Sequence, residues 1–211
     1  SSYLKMNESI LKRGDETVKK AITLAEGLHI FNQEPFETLI SFIISQNNNI
    51  GRIKAIIERI CIKYGTPIEF DNTVFYTFPT AEQLKNVTEA DYAALGCGYR
   101  AKYLEQIVKT YLDNKINLDA IAKMEHSKAK KELTSYLGIG PKVADCILLF
   151  SLKKYQAFPI DTWVKRVISE LYFENKEQSP KVIQNFAKEQ YGDFAGLAQQ
   201  YLFYWRRELE K

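Results

Sequence analysis

The reactive side chains of this sequence are an amine and a carboxylate in unusual settings. Lys142 follows a Gly-x-Gly turn in Leu137-Gly138-Ile139-Gly140-Pro141-Lys142-Val143-Ala144-Asp145-Cys146, and Asp161 closes Phe158-Pro159-Ile160-Asp161. Glycines at 138 and 140 let the backbone turn tightly and approach a phosphate. The helix starting at Pro141 adds unpaired N–H groups and a positive dipole end that favour an anion. Such a hairpin can hold a nucleic-acid backbone without reading its bases. Each residue also has a plain use, Lys142 as a surface cation and Asp161 as the N-cap of a helix from Thr162 to Leu171. Geometry permits a joint role. A helix from Pro141 to about Leu152 runs roughly 18 Å, and residues 153–160 can span up to about 26 Å, enough to return Asp161 beside Lys142.

The elements that must position this pair read as helices. Apolar residues recur at three- and four-residue steps in Phe36 to Ser45, Ile53 to Tyr64, Tyr103 to Leu112, Val143 to Phe150, Val164 to Leu171 and Phe194 to Leu209. No run alternates convincingly as a strand. Breaks fall at Gly65-Thr66-Pro67, Phe78-Pro79-Thr80, Asn114-Lys115, Gly138 to Pro141, Pro159 and Ser179-Pro180. Thr80-Ala81-Glu82-Gln83 has capping-box spacing.

Composition permits a polyanion partner without demanding one. The 211 residues can bury a sizeable core, and a net charge of +3 with 26% charged residues is only mildly basic. Local clusters matter more: Arg52 with Lys54, Lys128 with Lys130 and Lys131, Lys153 with Lys154, and Lys165 with Arg166. Nothing approaches the roughly 20 apolar residues of a membrane span, so an intracellular protein in the cytoplasm, at the nucleoid or in a nucleus is expected. Cys61, Cys97 and Cys146 are widely spaced, which supports neither a disulfide framework nor a zinc site. His29 and His126 are read as ordinary surface or loop residues rather than catalysts.

The Leu-Gly-x-Gly-x-Lys pattern with a downstream Asp resembles the helix-hairpin-helix and Gly/Pro-Asp motif of base-excision DNA glycosylases. Within that group the sequence is most similar to the 8-oxoguanine DNA glycosylases of the Ogg type. The likeness extends to Ser41-Phe42-Ile43-Ile44-Ser45-Gln46, Asn47-Asn48-Asn49-Ile50-x-Arg52, Gly98-Tyr99-Arg100-Ala101-Lys102-Tyr103 and Ala195-Gly196-x-Ala198-Gln199 with Phe203. The resemblance implies an all-α, two-lobed helix-hairpin-helix fold with the active site in the inter-lobe cleft. One lobe would comprise residues 1–41 plus 151–211 and the other residues 42–150. Long members carry an N-terminal β domain that is not seen here, so the sequence is read as a trimmed or naturally short catalytic core. Three cysteines are too few for the iron-sulfur cluster of some relatives, and no cofactor is expected. The backbone carbonyls of Thr134, Tyr136 and Ile139 are a candidate site for a structural monovalent or divalent cation.

The resemblance also implies roles. A damaged purine must leave the DNA stack to be reached. Asn47 would fill the vacated space, Tyr99 would wedge the opposite strand, and Arg52 and Arg100 would hydrogen-bond the orphaned cytosine. The plainer alternative is that the asparagines merely end a helix. Lys142 would attack C1′ of the deoxyribose, giving an imine that undergoes β-elimination, with Asp161 accepting the lysine proton and stabilising the cationic sugar. Cys146, one turn beyond Lys142, would help sense the oxidised purine or simply fill core. Gln199 would meet the base edge and Phe203 its face. Gly138 and Gly140 would meet the backbone, and Trp163 stands where many relatives place a phosphate-contacting histidine. The expected partner is duplex DNA holding 8-oxoguanine opposite cytosine, bound by a monomer. Two alternatives remain: a glycosylase for an alkylated purine, which Lys142 disfavours, and a DNA-binding module without catalysis, which needs neither Lys142 nor Asp161.

Overall fold

A computed structural model of the protein describes residues 2–209. Its first elements are helices α1 (Ser2–Arg13), α2 (Glu16–Leu24), α3 (Pro35–Ser45) and α4 (Ile50–Tyr64), then strands β1 (Pro67–Phe70) and β2 (Thr73–Tyr76). Next come α5 (Glu89–Ala94), α6 (Arg100–Leu112), α7 (Leu118–Lys123) and α8 (His126–Thr134). The last are α9 (Pro141–Phe150), α10 (Thr162–Tyr172), α11 (Pro180–Tyr191) and α12 (Ala195–Leu209). The expected all-α class holds, and every periodic segment seen in the sequence lies in a helix. Among the described residues no helix is long and apolar enough to cross a membrane.

The helix starts are set by side chains that satisfy exposed backbone donors. Glu34 accepts from the amides of Phe36 and Glu37 ahead of α3, with Pro35 in the first turn. Asn49 accepts from Arg52 N at 2.9 Å ahead of α4, and Ser179 caps α11 ahead of Pro180. The capping box at Thr80 also forms, with Thr80 N donating to Gln83 Oε1 at 2.8 Å, but it opens only a turn. A second box at Thr88 and Asp91 starts α5 a few residues later and ends that turn before it can lengthen.

Among the described residues the exception to an all-helical chain is the β1–β2 hairpin, which pairs Pro67 with Tyr76 and Phe70 with Thr73 in antiparallel register. Asp71 and Asn72 both have positive φ, 49° and 56°, the backbone of a two-residue hairpin turn. Both strands are exposed on both faces, so the apolar/polar alternation that betrays a half-buried strand is missing.

The chain divides into two compact units, Gln33–Val143 and a unit built from both ends, Ser1–Asn32 with Ala144–Lys211. The boundaries expected after residues 41 and 150 therefore shift. A cut after 41 would split α3, whose Phe36, Leu39 and Ile40 are buried along with Ile43 and Ile44. The later part of α9 falls with the terminal unit, where a Cβ on Gly196 would stand 2.5 Å from Leu149 Cδ1. In the central unit α3 packs on α4 and α6, with the Phe36 and Tyr111 rings 4.7 Å apart. The terminal unit closes around Ile10, Val18, Phe158, Ile168, Tyr191 and Tyr201, with α2 against α12.

Candidate active site

In the central unit the α8–α9 turn depends on Gly138. Its φ is 85°, and a Cβ there would stand 2.7 Å from Tyr103 Cβ, so a side chain would be both strained and crowded. At Gly140, in contrast, a Cβ would meet nothing within 4 Å, leaving open space over the backbone just before α9. Ile139 N donates to Tyr136 O at 3.1 Å, and the Tyr136 hydroxyl ties the turn to Lys115 O at 2.7 Å. Burial, reinforced by Glu132, pushes that phenol up to about 12.

The end of α3 is fastened to this turn. Gln46 Nε2 donates to Gly138 O at 2.9 Å and to Ile43 O at 3.2 Å. Lys142, in the first turn of α9, is half-buried. Its Nζ donates to Ser45 Oγ at 3.4 Å and lies 5.3 Å from the centre of the Phe42 ring. Ser45 Oγ in turn donates to Phe42 O at 2.8 Å.

Beyond Gln46 the chain turns through Asn47, which is exposed and has a φ of 45°, a left-handed conformation that asparagine tolerates. Arg100 is only 4% exposed and clamps this turn from beneath. Its Nε donates to Gln46 O at 2.8 Å, Nη2 to Asn47 O at 2.8 Å and to Gln46 O, and Nη1 to Cys97 O at 3.3 Å. The Tyr99 ring stacks on this guanidinium at 4.5 Å, is 54% exposed and donates its hydroxyl to Gln46 O at 3.3 Å. Arg52 is exposed, with one long bond of 3.4 Å to Gly96 O. Burial pushes the Cys97 thiol up to about 11 despite the neighbouring Arg100, Arg59 and Arg52 charges.

In the terminal unit Asp161 is exposed and caps α10, accepting from Val164 N at 2.8 Å. The loop that carries it is held by Gln199, a buried residue whose Nε2 donates to Pro159 O at 2.6 Å. Trp163 packs edge to face on Phe203 with ring centres 4.7 Å apart, and Arg207 lies 5.6 Å over the same Phe203 ring. Cys146, one turn after Lys142 on α9, is buried at 3% exposure.

Residues 40–192 match the HhH-GPD superfamily model of base excision DNA repair proteins. The chain belongs to the HhH-GPD superfamily. Within it, the fold is similar to the Clostridium acetobutylicum 8-oxoguanine glycosylase/lyase solved with double-stranded DNA containing cytosine opposite 8-oxoguanine. The two share 41% identity over 99% of this chain and 71% of that one, at a TM-score of 0.91. The N-glycosylase/DNA lyase of Saccharomyces cerevisiae is 38% identical over 159 residues, which is 70% of this chain and 42% of the yeast protein. The N-glycosylase/DNA lyase OGG1 of Arabidopsis thaliana is 34% identical over 189 residues, 84% of this chain and 51% of the plant protein. The chain thus spans about half the length of these curated relatives.

Against that HhH-GPD background the expected residues sort by what they touch. Asn47, Tyr99 and Arg100 form one cluster in the central unit, with Arg52 exposed nearby on α4. Lys142 and Cys146 share α9, while Gln199 holds the loop of Asp161. Two of the expected residues are engaged by other parts of their own unit. Arg100 directs its N–H groups at the backbone carbonyls of Gln46, Asn47 and Cys97, which one multi-donor side chain can satisfy together. Trp163 packs its indole edge to face on the Phe203 ring, which buries apolar surface. Reading the sequence also missed Gln46, Tyr103, Ser45 and Phe42 as parts of the site. Gln46 lies in a motif carrying the resemblance, but its bond to Gly138 and the bond from Lys142 to Ser45 cross 92 and 97 positions.

Proposed function

We propose that the protein is a base-excision DNA glycosylase with lyase activity, removing 8-oxoguanine paired with cytosine from duplex DNA. The observation that carries this reading is a half-buried lysine opening α9 directly after a glycine hairpin, in a chain so similar to a glycosylase/lyase solved on such DNA. The hairpin at Gly138 and Gly140 holds the DNA backbone through α9's first amide groups. Asn47, exposed and braced from below by Arg100, fills the space left by the flipped nucleotide. Tyr99 wedges the opposite strand, and Arg52 bonds the orphaned cytosine. Cys146, Gln199 and Phe203 receive the extruded base.

In the reaction the Lys142 amine forms a bond to C1′ while the C1′–N9 bond breaks, its electron pair leaving with the purine. Asp161 takes the amine proton and stabilises the positive charge that develops on the sugar. The sugar ring then opens to a protonated imine, O4′ taking a proton. Loss of a C2′ proton expels the 3′ phosphate.

No redox cofactor or iron-sulfur cluster is needed for these steps. The backbone carbonyls of Thr134, Tyr136 and Ile139 would hold a structural cation, a reading supported by their place at the end of α8 and in the turn after it, where the helix dipole leaves negative charge. The working form is a monomer acting on cellular DNA. Borohydride trapping on an 8-oxoguanine:cytosine duplex tests the assignment: a covalent adduct is expected with the native chain and none with Lys142→Gln. An adduct that survives in the variant would refute the lysine's role.

A further inference from the structure

We propose that Ser45 is a positioning residue for Lys142, a role that rests on reading this lysine as the nucleophile. A serine hydroxyl has one proton to give and two lone pairs to accept with. Ser45 donates its proton to Phe42 O at 2.8 Å, so toward Lys142 Nζ at 3.4 Å it acts only as an acceptor. One N–H of the amine is thereby fixed toward the end of α3, and the nitrogen's other directions, including the lone pair of its neutral form, face away from it. The Phe42 ring, 5.3 Å from Nζ, forms a floor that attracts the protonated state between turnovers. A lysine has four rotatable bonds, so an unheld amine would spend most of its time in orientations unable to attack. Ser45 needs no lysine for its own sake, because its bond to Phe42 O already satisfies it. The second bond therefore serves the amine.

The test uses the full chain as native protein, Ser45→Ala, Ser45→Thr and Lys142→Gln. Borohydride trapping is followed under single-turnover conditions on two duplexes, one with an abasic site and one with 8-oxoguanine opposite cytosine. On the abasic site Nζ bonds to the aldehyde C1′ and the carbonyl oxygen leaves as water. Borohydride then delivers hydride to the imine, locking a secondary amine. Ser45→Ala is expected to slow trapping on both duplexes about tenfold, the scale of one hydrogen bond. DNA affinity by anisotropy and the thermal midpoint should stay near native values, and Ser45→Thr should restore most of the rate. Native-rate trapping by Ser45→Ala would overturn the proposal. So would a loss that tracks affinity or melting and is not rescued by threonine. If the native chain traps the abasic site but ignores 8-oxoguanine, the lesion assignment fails while the Ser45 comparison still decides this role. Equal trapping by Lys142→Gln and the native chain would take down both.

Discussion

Replacing Arg100 separates two uses of one guanidinium. In the structure four of its N–H contacts end on the carbonyls of Gln46, Asn47 and Cys97. Leaving a buried acceptor unmet costs about 1–3 kcal/mol. The Asn47 carbonyl lies under an exposed turn that water can enter, so the low end applies to it, and we expect Arg100→Ala to lose about 3 kcal/mol in total. For a chain of this length that corresponds to a fall of roughly 6–12 °C in thermal midpoint. Arg100→Lys is the sharper probe. A single ammonium keeps the charge, but cannot reach carbonyls on both sides of the turn as a planar fork does, and about half of the loss should remain. Urea unfolding gives the stability, and excision measured with 8-oxoguanine opposite each of the four bases gives the function. A lysine variant of native stability whose defect appeared only as lost discrimination between opposite bases would refute the strut and return Arg100 to the orphaned base.

Other substitutions test neighbouring steps. Gly138→Ala should cost about 1–3 kcal/mol because its φ of 85° and the Tyr103 ring both oppose a side chain, whereas Gly140→Ala should melt like the native chain and weaken DNA binding measured by anisotropy. Asp161→Asn should keep the α10 cap and stay within a few tenths of a kcal/mol of native stability while lowering the single-turnover excision rate by at least about tenfold; full activity would remove the carboxylate from the chemistry. Alkylation followed by mass spectrometry should label Cys61, which is half-buried, well before Cys97, which is fully buried and held near 11, and raising the pH toward 11 should narrow the gap only as far as access allows.

The sequence made local features legible and distant ones opaque. Gly138, the start of α9 at Pro141 and the cap at Asp161 could be read because each is settled by residues within a few positions. The β1–β2 hairpin left only an Asp-Asn pair and β-forming neighbours as signals, since its strands lack a buried face. Whether Arg100 points at a base or at Gln46, more than fifty positions away, is decided by where α3 ends relative to α6, which no local pattern records. The same holds for Ser45 beneath Lys142. Resemblance supplied the participants, and the hydrogen bonds that join them across the chain come from the fold.

The terminal unit is assembled from the two ends of the chain, and α2 packs on α12. During synthesis Val18, Ala21 and Ile22 therefore emerge from the ribosome with their eventual neighbours still untranslated. At roughly 5–20 residues per second, the central unit has time to fold as a contiguous piece before α12 appears. Closure of the terminal core therefore waits for α12, and a ribosome that stalls before α12 leaves the apolar face of α2 without cover.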